Sequence, residues 1–252
     1  MSRSELHPAT RGFELAADVY ERGRPDYPSA AVRRLVQRLD LRPGRTVLDL
    51  AAGTGKLTRL LVPSGANVIA VEPIREMREE LERHVRGVAT MGGTAEKIPL
   101  VDAYVDAVTV AQAFHWFRTD EALREIRRVL RPGGGLALIW NTRDDRDALN
   151  AAISEILSPL GNDTPQRRQR DARAILDASG LFTPCEPALF RHRQKVDEDG
   201  LVGRVLSISF VAAASAAVRA DVEQQVRALA QERDGRIRVP YVTELYLAYK
   251  RR

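Results

Sequence analysis

The residues of this chain most open to a chemical reading are an acid at the end of an apolar run, two glycines shortly after it, and a second acid further along. The run is TVLDLAAGTG, residues 46–55, in which Asp49 falls near the end of the apolar stretch and Gly53-Thr54-Gly55 leads into helical spacing. Glycines at such a turn let the backbone approach a ligand, and nucleotide-like ligands sit where a strand's carboxyl end meets the next helix. Glu72 ends the following apolar run, VIAVE, 19 residues after Gly53. A carboxylate at that place can accept both hydroxyls of a ribose.

Three ligands compete for such a turn, and spacing separates them. A nicotinamide dinucleotide fingerprint has a third Gly or Ala three residues after the second glycine, where this chain has Thr58. A phosphate-binding loop has four residues between its first Gly and a Gly-Lys pair, then Ser or Thr; here Leu50 precedes and Leu57 follows Gly55-Lys56. Asp49 beside a pyrophosphate would repel it. S-adenosylmethionine (SAM) has no phosphate and carries an ammonium and a sulfonium, so an acid suits it.

The elements that hold these residues follow from periodicity. Short β-branched runs alternate with amphipathic stretches up to residue 141, the pattern of a parallel sheet covered by helices. Strands are expected at Thr46–Leu50, Asn67–Val71, Gly87–Met91, Ala107–Ala111 and Leu136–Trp140. A helix starting at Pro28 and ending at Pro43-Gly44 precedes them, and Leu57–Leu61, Arg75–His84 and Asp120–Leu130 are helices between them, the last with Asp120 as a cap after Thr119. Pro132-Gly133-Gly134-Gly135 should force a turn. Beyond Asn141 the spacing predicts helices over Asp147–Leu160 and Pro165–Ser179, a strand around Phe190–Val196, helices from Gly200 to Glu232, and a final run, Arg236–Tyr249. Pro240 makes that run an edge strand or a bent one that rejoins the sheet.

The 252 residues suffice for one large α/β domain with an appended lobe. A single cysteine, Cys185, excludes an intrachain disulfide and fits a reducing, cytoplasmic setting; packing is its expected role. No apolar stretch has the length of a signal peptide or of a membrane span, so no membrane association is expected. The net charge of +5 is spread along the chain among 34 acids, and 35 of the 39 basic residues are arginine, a skew attributed to genomic composition. No nucleic-acid partner is expected, and the cluster Arg167, Arg168, Arg170 and Arg173 reads as a solvated helix face. No pair of the four histidines, His7, His84, His115 and His192, has metal-ligand spacing.

The motifs VLDLAAGTG, VIAVEP, GGTAEKIPL, VDAVTVAQAFHWF and RVLRPGGGLALIWN occur in this order over residues 46–141. With the N-terminal AADVYERGRPDYP, the chain resembles the class I SAM-dependent methyltransferases, in particular the small-molecule group that includes trans-aconitate and quinone-biosynthesis methyltransferases. The resemblance implies an α/β fold: a Rossmann-like, seven-stranded sheet with helices on both faces, its last strand antiparallel, and a helical C-terminal lid. It implies residues 1–45 closing over the cofactor, 46–141 as the SAM-binding core, and 142–252 as acceptor lid and final strands. Asp49, Ala51, Gly53 and Gly55 would surround the methionine part of SAM, Glu72 would take the ribose hydroxyls, and Pro73 with Met77 would pack near adenine. Thr94, Ala95 and Glu96 would form the other adenine wall. Gln112, Ala113 and His115 would face the methionine end and the acceptor, and Tyr20 and Arg24 would reach the cofactor from the N-terminal segment. Two positions depart from the common pattern: many relatives have Gly where Ala51 stands, and more often there is Asp where Thr94 stands.

The reading is therefore methyl transfer to a small-molecule acceptor. His115 is the candidate general base, because an imidazole of pKa about 6.5 suits proton removal near neutrality; a packed ring after a strand is the alternative. Trp116, Phe117, Phe210, Tyr241 and Tyr246 are expected in the core or a pocket wall. An RNA or protein methyltransferase, and a SAM-binding module without catalysis, stay open as alternatives. Against the first stand the absence of an Asn/Asp-Pro-Pro-Tyr motif where Ala111-Gln112-Ala113-Phe114 occurs and of a separate basic module.

Overall fold

The computed structural model describes residues 24–160, 172–233 and 237–251. The strands are β1 (Thr46–Leu50), β2 (Asn67–Val71), β3 (Ala89–Met91), β4 (Val105–Ala111), β5 (Leu130–Arg143), β6 (Glu186–Val196) and β7 (Ile237–Tyr249). They form one sheet in the order β3-β2-β1-β4-β5-β7-β6. The first five are parallel to one another. β7 runs against β5, since Lys250 N donates to Gly134 O and Asp144 N to Pro240 O, so one residue number climbs as its partner's falls.

The chain divides into two compact units, one of Asp26–Asn141, Pro165–Phe190 and Thr243–Arg252, the other of Met1–Pro25, Thr142–Thr164 and Arg191–Val242. In the larger unit both faces of the sheet are covered, which is why β4 is buried continuously from Val105 to Val110 rather than alternately. Successive side chains point to opposite faces. Leu48, Val108 and Val110 therefore pack with Leu123 and Ile126 of helix α4 (Thr119–Val129), while Val47 and Ala107 pack with Leu35 of helix α1 (Ser29–Arg38) and Leu61 of helix α2 (Thr58–Leu61). Each fully buried aliphatic side chain contributes about 1.5–3 kcal/mol. Helix α3 (Arg75–His84) lies between β2 and β3 in the chain and buries Met77 and Leu81, and the short helix α6 (Ala172–Ala178) buries Leu176.

The smaller unit packs helices together with the ends of β6 and β7 that it contains. Helix α5 (Ala148–Leu157) offers Leu149, Ile153 and Leu157 at four-residue spacing, α7 (Glu198–Leu206) offers Leu201 and Val205, and α9 (Ala216–Gln231) offers Val222 and Val226. These stripes share one core with Tyr241 and with Val211 of the short helix α8 (Ser209–Ala212). Asp147, Asp197 and Ser215 cap the three longer helices by accepting backbone N–H groups, each cap worth about 1 kcal/mol.

Four expectations are corrected. Helix α1 ends at Arg38 instead of reaching Pro43, because Asp40 turns the chain at φ +52° and its carboxylate accepts from Arg42 and Arg45. Helix α4 has Arg118 at its N-cap with no side-chain cap, so Asp120 lies in the first turn and Glu96 Oε1 accepts the Arg118 N–H at 2.8 Å. The Pro132–Gly135 segment lies within β5 as an irregularity: Val105 pairs with Leu130 but Ala107 pairs with Gly135, so the extra residues bulge out with Gly133 at φ +75°. Finally, β7 is interior and β6 is the edge; Pro240 lacks a ladder donor, but its carbonyl accepts from Asp144 N at 3.2 Å and from Asn150 Nδ2 at 2.8 Å.

A Cβ on Gly135 would overlap Leu39 Cδ2 and lie 3.3 Å from the Tyr249 ring. Gly135→Ala is expected to lower stability by about 1–3 kcal/mol through overpacking, read as a lower urea midpoint. Unchanged stability would mean that Leu39 has room to move aside.

Candidate functional site

Parallel register brings the sequence motifs to one edge of the larger unit. Leu50 pairs with Val71 and with Val110, and Val71 pairs with Met91, so the segments after β1, β2, β3 and β4 all leave the same side of the sheet. At the first, Ala51 and Gly53 have φ of +54° and +58°; at the last, Gln112 has φ of +59°. Two non-glycine residues in the left-handed region cost about 1–2 kcal/mol each, and such strain collects where a structure meets a ligand. Ala51 in this conformation supplies a physical reason for the glycine common there in related sequences. A Cβ added to Gly53 would meet nothing within 4 Å, so the backbone there faces open space. Gly55 differs: at φ +86° its Cβ would lie 2.9 Å from Leu81 and 3.0 Å from Val85, so this glycine lets the turn pack on α3.

Glu72 is buried to 4 % exposure at the end of β2. Its Oε2 accepts the Gly53 N–H at 2.9 Å and its Oε1 the Ile74 N–H at 3.0 Å. Burial pushes its carboxyl up to about 7, with the nearby Asp49 acting in the same direction, against the two N–H groups and the charge of Arg78. Arg78 donates to the carbonyls of Glu72 and Pro73 at 2.7 and 2.9 Å and so fixes the turn. Asp49 is wholly buried; its Oδ2 accepts from Thr58 Oγ1 at 2.6 Å and its Oδ1 from Thr109 Oγ1 at 2.9 Å. Burial raises it to about 6. Its side chain thus ties the glycine turn to the start of α2 and to β4.

The other sequence-derived residues fall as follows. Met77 and Ala95 are buried, and Pro73 and Thr94 are half-buried, Thr94 forming an isolated bridge with Lys97. Glu96 spends one carboxylate oxygen on the start of α4. Gln112 donates from Nε2 to Asn141 O at 3.3 Å, and Ala113 is buried beside it. His115 lies half-buried in a 3₁₀ turn, Phe114–Trp116, its ring 4.6 Å from Trp116. Phe114 anchors that turn through edge-on contacts with Phe117 and Trp140, and Tyr246 in turn packs on Trp140. Trp116, Phe117 and Tyr246 pack against the core of the larger unit, and Tyr241 and Phe210 belong to that of the smaller. Arg24 belongs to the smaller unit, where Nη2 donates to Ser207 O at 3.1 Å. Tyr20 and Arg167–Arg170 lie outside the described residues; Arg173 pairs with Asp177 at 3.6 Å, and Cys185 is buried, its thiol pushed up to about 11 by burial.

Sequence reasoning missed Thr58, Thr109, Arg78 and Asn141. Thr58 entered only as the residue that breaks a dinucleotide fingerprint, yet it holds Asp49. Asn141, at the boundary of the expected core, accepts from Thr243 Oγ1 at 2.6 Å and donates to Asp26 O at 3.3 Å. No short motif announces contacts between residues so far apart in sequence.

A parallel sheet with its last strand reversed, a glycine turn after β1 and an acid after β2 define a methyltransferase fold. Residues 48–138 match the family described as methyltransferase domain. The chain is similar to an uncharacterized methyltransferase of Mycobacterium tuberculosis, 39 % identical over 239 residues that cover 92 % of each chain. It is also similar to the ubiquinone/menaquinone biosynthesis C-methyltransferase of Rubrivivax gelatinosus, 40 % identical over 106 residues, 40 % of this chain and 41 % of that one. Among solved structures it shares its fold with a Haemonchus contortus phosphoethanolamine N-methyltransferase in complex with S-adenosylhomocysteine (TM-score 0.56, 15 % identity, 95 % of this chain and 58 % of that one). The chain belongs to the class I SAM-dependent methyltransferases and is an enzyme of that type. Membership implies SAM as methyl donor and an acceptor to receive the methyl group. No helix among the described residues is long and apolar enough to cross a membrane.

The raised carboxyls give a pH signature. Between the ordinary value of 4.5 and about 7, folded Glu72 keeps a proton that the unfolded chain has released, so its contribution to stability falls as pH rises and levels off above about 7. The difference in urea-unfolding free energy between Glu72→Gln and wild type should therefore move in favour of the variant from about pH 5 to about pH 7.5. Parallel curves would show that Glu72 does not titrate in this range.

Proposed function

We propose that the chain transfers a methyl group from SAM to a small-molecule acceptor, with the cofactor along the edge formed by the ends of β1–β4. The observation that carries this reading is the buried Glu72 carboxylate, oriented by two backbone N–H groups beside the open backbone of Gly53. Each oxygen of that carboxylate has a second lone pair with which to accept a ribose hydroxyl. Ala51, Gly53 and Gln112 supply backbone at the methionine end, and Asp49 and Gly55 hold the turn from behind. Pro73, Met77, Thr94, Ala95 and Glu96 flank the adenine, and Ala113 lies behind Gln112. The relative in Rubrivivax, named for quinone biosynthesis, supports a small-molecule acceptor.

When bound, SAM supplies an electrophilic methyl on a sulfonium, transferred by in-line displacement. The protein's task is positioning, which can supply about 7–11 kcal/mol. Where the acceptor arrives protonated, His115 takes its proton.

Glu72→Ala should weaken SAM binding by about 2–3 kcal/mol, measured by calorimetry on a folded variant, and unchanged affinity would remove the ribose role. Ribose hydroxyls favour the ionised carboxylate, so SAM binding near pH 6.5 should release protons in wild type and lose this release in the variant. His115→Gln should slow methyl transfer by about 100-fold or more at nearly constant SAM affinity. Wild-type turnover with only a lower melting temperature would make His115 a packing residue.

A further inference from the structure

The smaller unit contains two buried guanidiniums that the methyl-transfer reading does not use. Arg143, at the end of β5, and Arg204, in α7, are exposed by only 8 % and 6 %. Neither forms a salt bridge with a carboxylate among the described residues, although ten other arginines among them pair with an acid at 3.0 Å or less. Arg143 has one hydrogen bond, from Nη2 to Ser154 Oγ at 3.4 Å, and its buried Nε has no acceptor. Arg204 donates from Nε to the Tyr241 hydroxyl at 2.8 Å and lies 5.8 Å over the Tyr241 ring, while its buried Nη1 has no acceptor. Asp145 is the nearest acid in effect; it is exposed and touches Ser154 Oγ at 3.3 Å rather than either guanidinium. His192 stacks on Tyr241 with ring centroids 5.6 Å apart, and burial lowers its pKa, which leaves it neutral at pH 7.

Burying one charge without a counter-ion is costly, and burying two of the same sign is more so. Burial, and then the charge of Arg204, press Arg143 down to about 10, still cationic near neutrality. A ligand that brought negative charge would relieve this cost, and the planar guanidinium fork matches the oxygens of carboxylate and phosphate. We infer that Arg143 and Arg204, with the Tyr241 hydroxyl that accepts from Arg204 and donates to the ligand, form an oxoanion-binding site for the carboxylate or phosphate group of a small acidic molecule. The inference goes beyond methyl transfer and uses no residue of the proposed SAM edge.

The test measures the full chain by calorimetry and thermal denaturation with citrate and with inorganic phosphate, at ionic strength matched with sodium chloride. Wild type should bind at least one of them saturably and gain melting temperature; citrate alone marks a carboxylate site, phosphate alone a phosphate site. Arg143→Met should bind at least about tenfold more weakly, yet melt no lower than wild type without anion, because an uncompensated buried charge has been removed. Arg143→Lys, which keeps the charge but not the fork, should show intermediate affinity and covers the case in which Arg143→Met fails to fold. Absence of saturable binding by wild type would overturn the proposal. So would an Arg143→Met protein that melts lower without anion and binds as wild type does, since that describes a structural arginine. SAM affinity measured in the same preparations reads the methyltransferase proposal separately.

Discussion

A carboxylate placed where two backbone turns meet organises the edge of the sheet. Glu72 can only accept hydrogen bonds when ionised, and the groups that reach it are the N–H of Gly53, from the turn after β1, and the N–H of Ile74, from the entry to α3. Each N–H would otherwise be a donor at a turn with no partner of its own. Because both converge on one side chain, the glycine turn and the start of α3 cannot move independently. Arg78 reinforces the link from α3 by gripping the Glu72 carbonyl, and Asp49, through Thr58 and Thr109, locks the other side of the same turn to α2 and β4. The left-handed conformations of Ala51 and Gln112 persist because this network over-determines the backbone around them.

The elements with strong local periodicity were legible in the sequence. The bounds of β1, β2 and α3 coincide with those expected, since a buried parallel strand reads as an apolar run and an amphipathic helix repeats every three to four residues. What could not be read was set by partners distant in the chain. The glycines after Pro132 look like a turn until β4 is seen to pair on both sides of them. Pro240 argues for an edge until the position of β6 outside β7 is known. In the site, Asp49 and Glu72 announced themselves by spacing, but their holders did not: Thr109 is 60 residues from Asp49.

Arginine content shows the same limit from the side of solvation. A chain with 35 arginines invites a compositional explanation, and for those that meet surface acids, as Arg75 meets Glu79, an exposed ion pair suffices. Such pairs contribute little stability, about 0–1 kcal/mol. Arg143 and Arg204 are identical to the others in sequence terms and opposite in environment. Burial, which decides whether a guanidinium is solvated or waits for a counter-charge, is a property of the packed helices and not of any short segment.

The order of strands also bears on how the chain is made. Among the described residues β6 is hydrogen-bonded to the sheet only through β7, yet it precedes β7 by some forty residues in the chain. A strand without its neighbour presents unpaired backbone groups, so β6 depends for its place on a strand that follows it in the chain. Leu130–Arg143 could pair with β6 directly only in a register that the finished protein never uses. The helical segment between the two strands therefore separates β6 in the chain from the strand that seats it in the sheet, so the sheet is complete only once Ile237–Tyr249 is in place.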